Sequence, residues 1–189
     1  MAAGLEAADR TGGAEGGVPG RYVVVDVHYP TGGGAVAAAV VAADLGFARV
    51  VAEQVATLER VEPYRPGAFW ERELPAIRAV LSRTGPIDLL VVDGYVQLDA
   101  TGRPGLGARV AAELAVPVIG VAKTAFRGAD HAIQVVRGQA TRPLYVTAAG
   151  IPAHRAAALV RGMAGRYRLP DALRRVDALA RSATPPTTD

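Results

Sequence analysis

The 189-residue chain contains no cysteine, which excludes disulfide bonds and thiolate metal sites. It also lacks an uncharged apolar run of about 18 residues, the length that a membrane-spanning helix needs. Its first 20 residues carry acidic residues and glycine in place of the basic start and apolar stretch of a signal peptide. We therefore expect a cytoplasmic protein that does not bind membranes.

Lysine is almost absent as well, because Lys123 is the only lysine among 21 basic residues. A lysine retained against such a bias towards arginine indicates chemistry suited to a compact ammonium group, although a single residue is also compatible with chance. The arginines are unevenly distributed, since residues 142–181 hold eight arginines and two aspartates. This basic stretch is either a phosphate-binding surface or a solvated helix face, and the sequence favours neither interpretation.

Composition divides the chain into three parts. Residues 1–20 are rich in glycine and alanine without periodicity and are predicted to be a disordered lead, and residues 183–189 are predicted to be a disordered tail. The segment between them, residues 21–182, has the length of one domain, which we expect to be a monomer. Half of all residues (50%) are hydrophobic, which is enough for a sizeable core.

The order of apolar segments predicts an α/β fold with a mixed β-sheet flanked by helices. Three strand-length segments joined by short turns come first, which is typical of an antiparallel meander. Two wholly apolar runs further along are typical of buried parallel strands. The predicted strands are 21–27, 35–43, 49–58, 87–92, 116–121, 132–137 and 143–147, and the predicted helices are 68–83, 104–114, 152–164 and 171–180.

Three acids stand at informative places in these elements. Asp26 interrupts the first apolar strand, Asp93 ends the strand at 87–92, and Glu73 lies early in the helix between them. A buried carboxylate is unfavourable unless it is paired or binds a metal. Acids on neighbouring strands suit Mg²⁺ or Mn²⁺, which can bind a scissile phosphate and activate water. Taken singly, Asp93 is also explained as part of a turn and Glu73 as a solvated helix residue.

The contexts of these acids resemble those of the endonuclease V family. The resemblance covers approximately residues 22–181 and implies a ribonuclease-H-like domain. The matching segments, in chain order, are Val-Asp-Val-His-Tyr-Pro at 25–30, Pro-Tyr-Arg-Pro-Gly at 63–67, Arg-Glu-Leu-Pro at 72–75, Val-Val-Asp-Gly at 91–94, Ile-Gly-Val-Ala-Lys at 119–123, Pro-Leu-Tyr-Val-Thr at 143–147 and Tyr-Arg-Leu-Pro-Asp at 167–171.

The resemblance implies a catalytic set. Asp26 and Asp93 match metal-binding aspartates, so Mg²⁺ or Mn²⁺ is the expected cofactor. Glu73 matches a catalytic glutamate, and Lys123 matches a lysine near the phosphate, where a cation would stabilise developing charge. The family recognises hypoxanthine and cuts the second phosphodiester bond on its 3′ side, so the expected partner is inosine-containing DNA or RNA.

The resemblance also implies a nucleic-acid-binding surface. Pro63, Tyr64 and Pro66 match a wedge loop that separates strands, with Tyr64 as the intercalating ring. Glycines in a base pocket would let the backbone approach a flipped base closely. The residues that map to this pocket are Phe69, Gly94, Gly105 and Phe126.

The chain departs from the family pattern at two expected histidines. Asp99 stands in the place of one, and Ala-Ala-Gly-Ile at 148–151 replaces the Pro-Gly-His that would carry the other. Asp99 and His154 are the candidate replacements near the metal, and His131 is expected to be structural. His28 should share the strand face of Asp26, so it is either a rim or structural residue or a neighbour of the metal ligands. The altered loop around Asp99 would equally suit recognition of a different base.

The loss of both histidines predicts an endonuclease that still binds metal but cleaves slowly. Two other functions remain open, because a fold does not dictate an activity. One is a nucleic-acid-binding relative that does not cleave. The other is a relative recruited to a nucleotide-like small molecule.

Overall fold

The computed structural model describes residues 20–63, 65 and 69–183. Apart from residues 20 and 183, the predicted lead and tail lie outside these ranges. The described residues form seven strands: β1 (Tyr22–His28), β2 (Ala35–Ala42), β3 (Val50–Leu58), β4 (Leu89–Asp93), β5 (Val118–Ala122), β6 (Ile133–Val135) and β7 (Leu144–Ala149). They also form four helices: α1 (Phe69–Leu81), α2 (Leu106–Leu114), α3 (Ala153–Gly162) and α4 (Asp171–Ser182). In this part of the chain, no helix is both long and apolar enough to cross a membrane.

All seven strands belong to one mixed sheet, in the order β3-β2-β1-β4-β5-β7-β6. β1, β2 and β3 form the antiparallel meander expected from their short connections. β4 and β5 run parallel to β1 and are reached through α1 and α2, since parallel neighbours need a crossover connection. β7 and β6 add an antiparallel edge. The predicted α/β class with a mixed sheet is confirmed.

Helices cover both faces of the sheet and bury a core on each. On one face, alternate strand residues such as Val24 and Val91 pack against α3 and α4. On the other face, Val25 and Val92 pack against α1 and α2. The run of alanine and valine in β2 is buried at every position, because this strand is covered from both sides.

Some predicted bounds were wrong for identifiable reasons. β6 ends at Val135, before the predicted 137, and the Arg137 side chain beyond it is buried and donates hydrogen bonds to the Gly165 and Tyr167 carbonyl groups between α3 and α4. α2 begins at Leu106, after the predicted 104, because Pro104 forms an isolated bridge with Gln97. Neither contact can be recognised from hydrophobic periodicity.

The parallel strands place the predicted acids at one edge of the sheet. Val25 of β1 pairs with Val92 of β4, so Asp26 and Asp93 are next in register. Both acids lie two residues beyond valines of the α3–α4 face, and their side chains therefore point to that face. The prediction that Asp26 and Asp93 lie on adjacent strands is confirmed.

Candidate active site

Three carboxyl groups lie close enough at this edge to repel one another. Glu73 reaches the edge from α1 and is only 7% exposed. Burial and the neighbouring Asp26 and Asp93 charges raise the pKa of Glu73 from 4.5 to about 8. Burial and the Asp93 charge likewise raise the pKa of Asp26 from 3.8 to about 6. We refer to Asp26, Glu73 and Asp93 as the acid cluster.

Lys123 brings a positive charge to the acid cluster. It follows β5, in which Val121 pairs with Asp93. The ammonium nitrogen Nζ donates a hydrogen bond to Asp93 Oδ2 at 2.5 Å. Burial acts to lower the pKa of Lys123, but its hydrogen bond to Asp93 and the charges of Asp93 and Asp26 outweigh burial and raise that pKa. The prediction that Lys123 points towards the acids is confirmed.

Asp177 is a further acid at this site, and the sequence reasoning missed it. It lies on α4, and its charge contributes to raising the pKa of both Asp26 and Lys123. Hydrogen bonds from Arg181, followed by the charge of Lys123, lower the pKa of Asp177 itself. The available signal in the sequence was an acid four residues after Leu173, within the apolar stripe of an amphipathic helix.

The donor atoms of the acid cluster suit a hard divalent cation. Asp26 Oδ1 accepts a hydrogen bond from the Val27 backbone N–H at 2.8 Å, which holds that carboxylate in one orientation. Among the described residues, no three His, Asp or Glu side chains are arranged as a complete ligand set. Two carboxylates completed by water are nevertheless a common Mg²⁺ arrangement, and a cation would offset the repulsion between them.

The structure gives the two candidate replacements for the missing histidines different surroundings. Asp99 accepts hydrogen bonds from Thr101 and Arg103 within its own loop, and these lower its pKa. Its carboxylate therefore shapes a turn. His154 is exposed at the start of α3, which follows the β7 residue paired with Val118 at the beginning of β5. Because Lys123 follows the other end of β5, His154 lies at the opposite edge of the sheet.

The four predicted base-pocket residues line a single cavity. Its volume is about 420 Å³, and Asp93 of the acid cluster forms part of its wall. Aromatic rings supply much of the rest, including Phe69, which is 43% exposed, and Phe126, which is 41% exposed. The predicted base-pocket residues in its lining are Phe69, Gly94, Gly105 and Phe126.

The two glycines of the pocket have different structural roles. Gly94 has a φ of +139°, and a Cβ atom there would meet nothing within 4 Å. It therefore leaves open space beside Asp93. A Cβ on Gly105 would lie 2.5 Å from the Tyr95 carbonyl oxygen. Gly105 thus permits close packing between the loop after β4 and the start of α2.

Hydrogen bonds hold the back wall of the cavity in place. The Tyr95 hydroxyl donates to the Thr124 carbonyl at 2.8 Å and accepts from the Phe126 backbone N–H at 3.1 Å. The Val96 backbone N–H donates to Thr147 Oγ1 at 2.8 Å. These bonds connect the loop after β4 with β7 and with the loop after β5. The cavity is consequently bounded by mutually supported segments.

The predicted wedge is described only in part. Pro63 is exposed, and Arg65 forms an ion pair with Glu71 of α1. Tyr64 and Pro66 lie outside the described residues. The wedge role therefore stays a prediction.

Comparison of the sequence with known proteins identifies one family. Residues 16–178 match the family model of Endonuclease V. The Endonuclease V of Streptomyces coelicolor is 34% identical over 185 residues, which cover 87% of this chain and 79% of the relative. The Endonuclease V of Azotobacter vinelandii is 33% identical over 186 residues, which cover 85% of this chain and 82% of the relative.

Comparison of structures agrees. The crystal structure of Endonuclease V from Streptomyces avermitilis superposes with a TM-score of 0.72 at 30% identity, covering 86% of this chain and 80% of that one. Endonuclease V from Ciona intestinalis, in complex with DNA containing an inosine followed by a ribo-adenosine, gives a TM-score of 0.71 at 17% identity, covering 86% and 84%. The second likeness shows the fold alone, and the predicted ribonuclease-H-like fold is confirmed. Because the family model matches most of its length and relatives share more than 30% of its residues, this chain belongs to the endonuclease V family of nucleases.

Proposed function

We propose that this chain is a divalent-metal-dependent endonuclease that cleaves a phosphodiester bond on the 3′ side of inosine, or of another deaminated base, in DNA or RNA. The observation that carries the proposal is the position of the cavity, whose wall includes Asp93. A base held between Phe69 and Phe126 would present its own backbone to the acid cluster. The Ciona relative bound to inosine-containing DNA supports this choice of base.

The charged residues of the site divide the chemistry among them. Asp26 and Asp93 would hold Mg²⁺ or Mn²⁺, which supplies Lewis acidity and favours deprotonation of water when bound. Glu73 has a pKa of about 8 in the metal-free chain and therefore holds a proton near neutral pH. A cation held by Asp26 and Asp93 would favour the ionised form of Glu73, which could then accept a proton from the attacking water. Lys123 would stabilise the negative charge that develops on the phosphate oxygens.

The cavity would supply the selectivity for a flipped base. The rings of Tyr95 and Phe126 lie 6.0 Å apart between centroids and are tilted by 52°, so they form a corner against which a base can stack. The open space at Gly94 would let a base edge approach the backbone. Stacking of this kind tolerates any base, so recognition of hypoxanthine would depend on hydrogen bonds with backbone groups of the loop after β4.

A second candidate is a nucleic-acid-binding relative that does not cleave. It is favoured by the ion pair between Lys123 and Asp93, because the ammonium group competes with a cation for that carboxylate. Asp177 supports the first candidate, because it adds a negative charge beside Asp26. We propose that cleavage occurs but is slow.

Cleavage of labelled single strands tests the proposal. One strand carries a single inosine, the matched strand carries adenine at that position, and each is incubated with Mg²⁺, Mn²⁺ or a chelator. We expect the inosine strand alone to be cut, on its 3′ side and with metal present. Asp26→Asn should abolish the reaction. Tight binding of the inosine strand without any cleavage by the parent would favour the second candidate.

A further inference from the structure

A second concave surface adjoins the acid cluster. An open groove of about 750 Å³ lies between the turn that connects β6 to β7 and the segment that joins α3 to α4. Its wall includes Arg166, Tyr167, Arg168 and Arg174, and we call these four residues the arginine groove. No step of the proposed reaction uses them.

Tyr167 presents an aromatic ring close to two cations. Its side chain is 47% exposed, which is unusual for a large ring without a ligand. The guanidinium carbons of Arg166 and Arg174 lie 5.0 Å and 4.6 Å from the ring centroid. Asp171 pairs with Arg174 at 3.4 Å, and the groove keeps an excess of positive charge. Exposed rings flanked by arginine are typical of surfaces that stack bases and bind phosphates of single strands.

Two contacts connect the arginine groove to the acid cluster. Arg168 donates a hydrogen bond to the backbone carbonyl of Lys123, whose side chain bonds Asp93. Arg174 lies three residues before Asp177 on α4, so the two side chains project from neighbouring positions on one side of the helix. The groove therefore neighbours Lys123 and Asp177, the two charged residues beside the acid cluster.

The base cavity approaches the acid cluster from the other direction. Its walls include Trp70 of α1 and Leu106 of α2, which belong to the opposite face of the sheet. A strand whose base fills the cavity and whose phosphate reaches Asp93 would leave the site towards α4. The arginine groove lies on that path.

We propose that the arginine groove binds the single-stranded flank of the nucleic acid that is cut at the acid cluster. The flank displaces a guanidinium group from the ring, so that a base stacks on Tyr167 while Arg166 and Arg174 contact phosphates. This inference rests on the proposed function, since it requires a nucleic-acid substrate. It assigns two of the eight arginines in residues 142–181, Arg166 and Arg174, to the phosphate-binding interpretation that the sequence left open.

Binding of inosine strands in the presence of a chelator, measured by fluorescence anisotropy, tests the groove. The strands have short or long flanks, about 4 and about 16 nucleotides in total. We expect the parent to bind the long strand more tightly, and Tyr167→Ala to reduce this advantage by about tenfold, the scale of one lost base stack. Tyr167→Phe keeps the ring and should keep the advantage. The double variant Arg166→Gln/Arg174→Gln should make the negative slope of log affinity against log salt shallower by about 1.4, the value for two lost phosphate contacts on a single strand.

Arg155→Gln is the matched control, because Arg155 is an exposed arginine of α3 outside the groove. It should leave both the flank advantage and the salt slope unchanged. The groove is rejected if the parent gains nothing from the long flank, or if Tyr167→Ala weakens both strands equally or neither. A parent that cuts the inosine strand while the groove variants keep the full flank advantage rejects the groove alone. A parent that neither binds nor cuts that strand rejects the proposed function as well.

Discussion

Replacing Glu73 with glutamine should stabilise the metal-free protein at alkaline pH. Burial and the Asp26 and Asp93 charges raise the pKa of Glu73 from 4.5 to about 8, so the folded chain holds the proton more tightly than the unfolded chain. The stability linked to this group is therefore fully present below pH 4.5. It declines as the pH rises towards 8, where Glu73 ionises in the folded state, and is lost above that. Glutamine has nearly the same shape and carries no charge at any pH.

The size of the effect follows from the pKa shift. One pKa unit corresponds to about 1.4 kcal/mol, so the shift sets an upper limit of about 5 kcal/mol on the gain in unfolding free energy. Relaxation of the site and entry of water reduce such buried-charge penalties, and we expect about 2 to 3 kcal/mol at pH 9. At pH 4 the difference should be small, because Glu73 is then protonated in both states. If burial of the glutamine amide changes the unfolding free energy by the same amount at every pH, this pH dependence stays unchanged.

Urea unfolding followed by circular dichroism, in a chelator at several pH values between 4 and 9, measures the difference. Glu59→Gln is the control, because Glu59 is an exposed glutamate at the end of β3 and should show no comparable trend. If parent and Glu73→Gln curves stay parallel across the range, Glu73 does not ionise in a buried, repulsive site. The assignment of Glu73 to the acid cluster would then be wrong.

Four further predictions concern the same site. Mn²⁺ should raise the melting temperature of the parent at pH 8, and Asp26→Asn should remove that rise, because ligand binding to the folded state stabilises it. Lys123→Arg should slow single-turnover cleavage, since the guanidinium is larger and differently hydrated, whereas an unchanged rate would argue against a catalytic role. Tyr64→Ala should weaken binding of inosine strands by about 1 to 3 kcal/mol if that ring stacks on a base. Asp177→Asn should slow cleavage without preventing strand binding, and an unchanged rate would exclude Asp177 from the site.

The predictable part of the site comes from two regular patterns. Apolar strands predict their own burial, and an acid that interrupts or ends such a strand is conspicuous. The parallel register of β1 and β4 then brings Asp26 and Asp93 together without any further information. Lys123 follows β5 at the same edge, so its position depends on the same rule. These residues could be assigned because each depends on strand order and direction alone.

Residues whose position depends on tertiary docking could not be assigned in this way. Asp177 joins the site only because α4 packs against β1, and no periodicity in the sequence reports how a helix docks. His154 was considered a candidate near the metal because it lies close in sequence to a segment that matches the family. Closeness in sequence does not determine at which edge of the sheet a residue lies. β7 runs antiparallel to β5, so the chain that follows Ala149 emerges at the edge away from Lys123. Histidine introduced at Gly150 or Ile151 would be at that edge too and is expected to add no activity.

The acid cluster is held together by the cores on both sides of the sheet. The backbone pairing of β1 with β4 keeps Asp26 and Asp93 side by side, and burial of α1 keeps Glu73 facing them. The carboxylates cannot separate without disrupting this packing. Their repulsion is reduced by protonation, by the ion pair of Asp93 with Lys123, or by a bound cation. A fold that maintains such a repulsive site at the expense of its own stability is typical of a functional centre, and the gain expected for Glu73→Gln measures that expense.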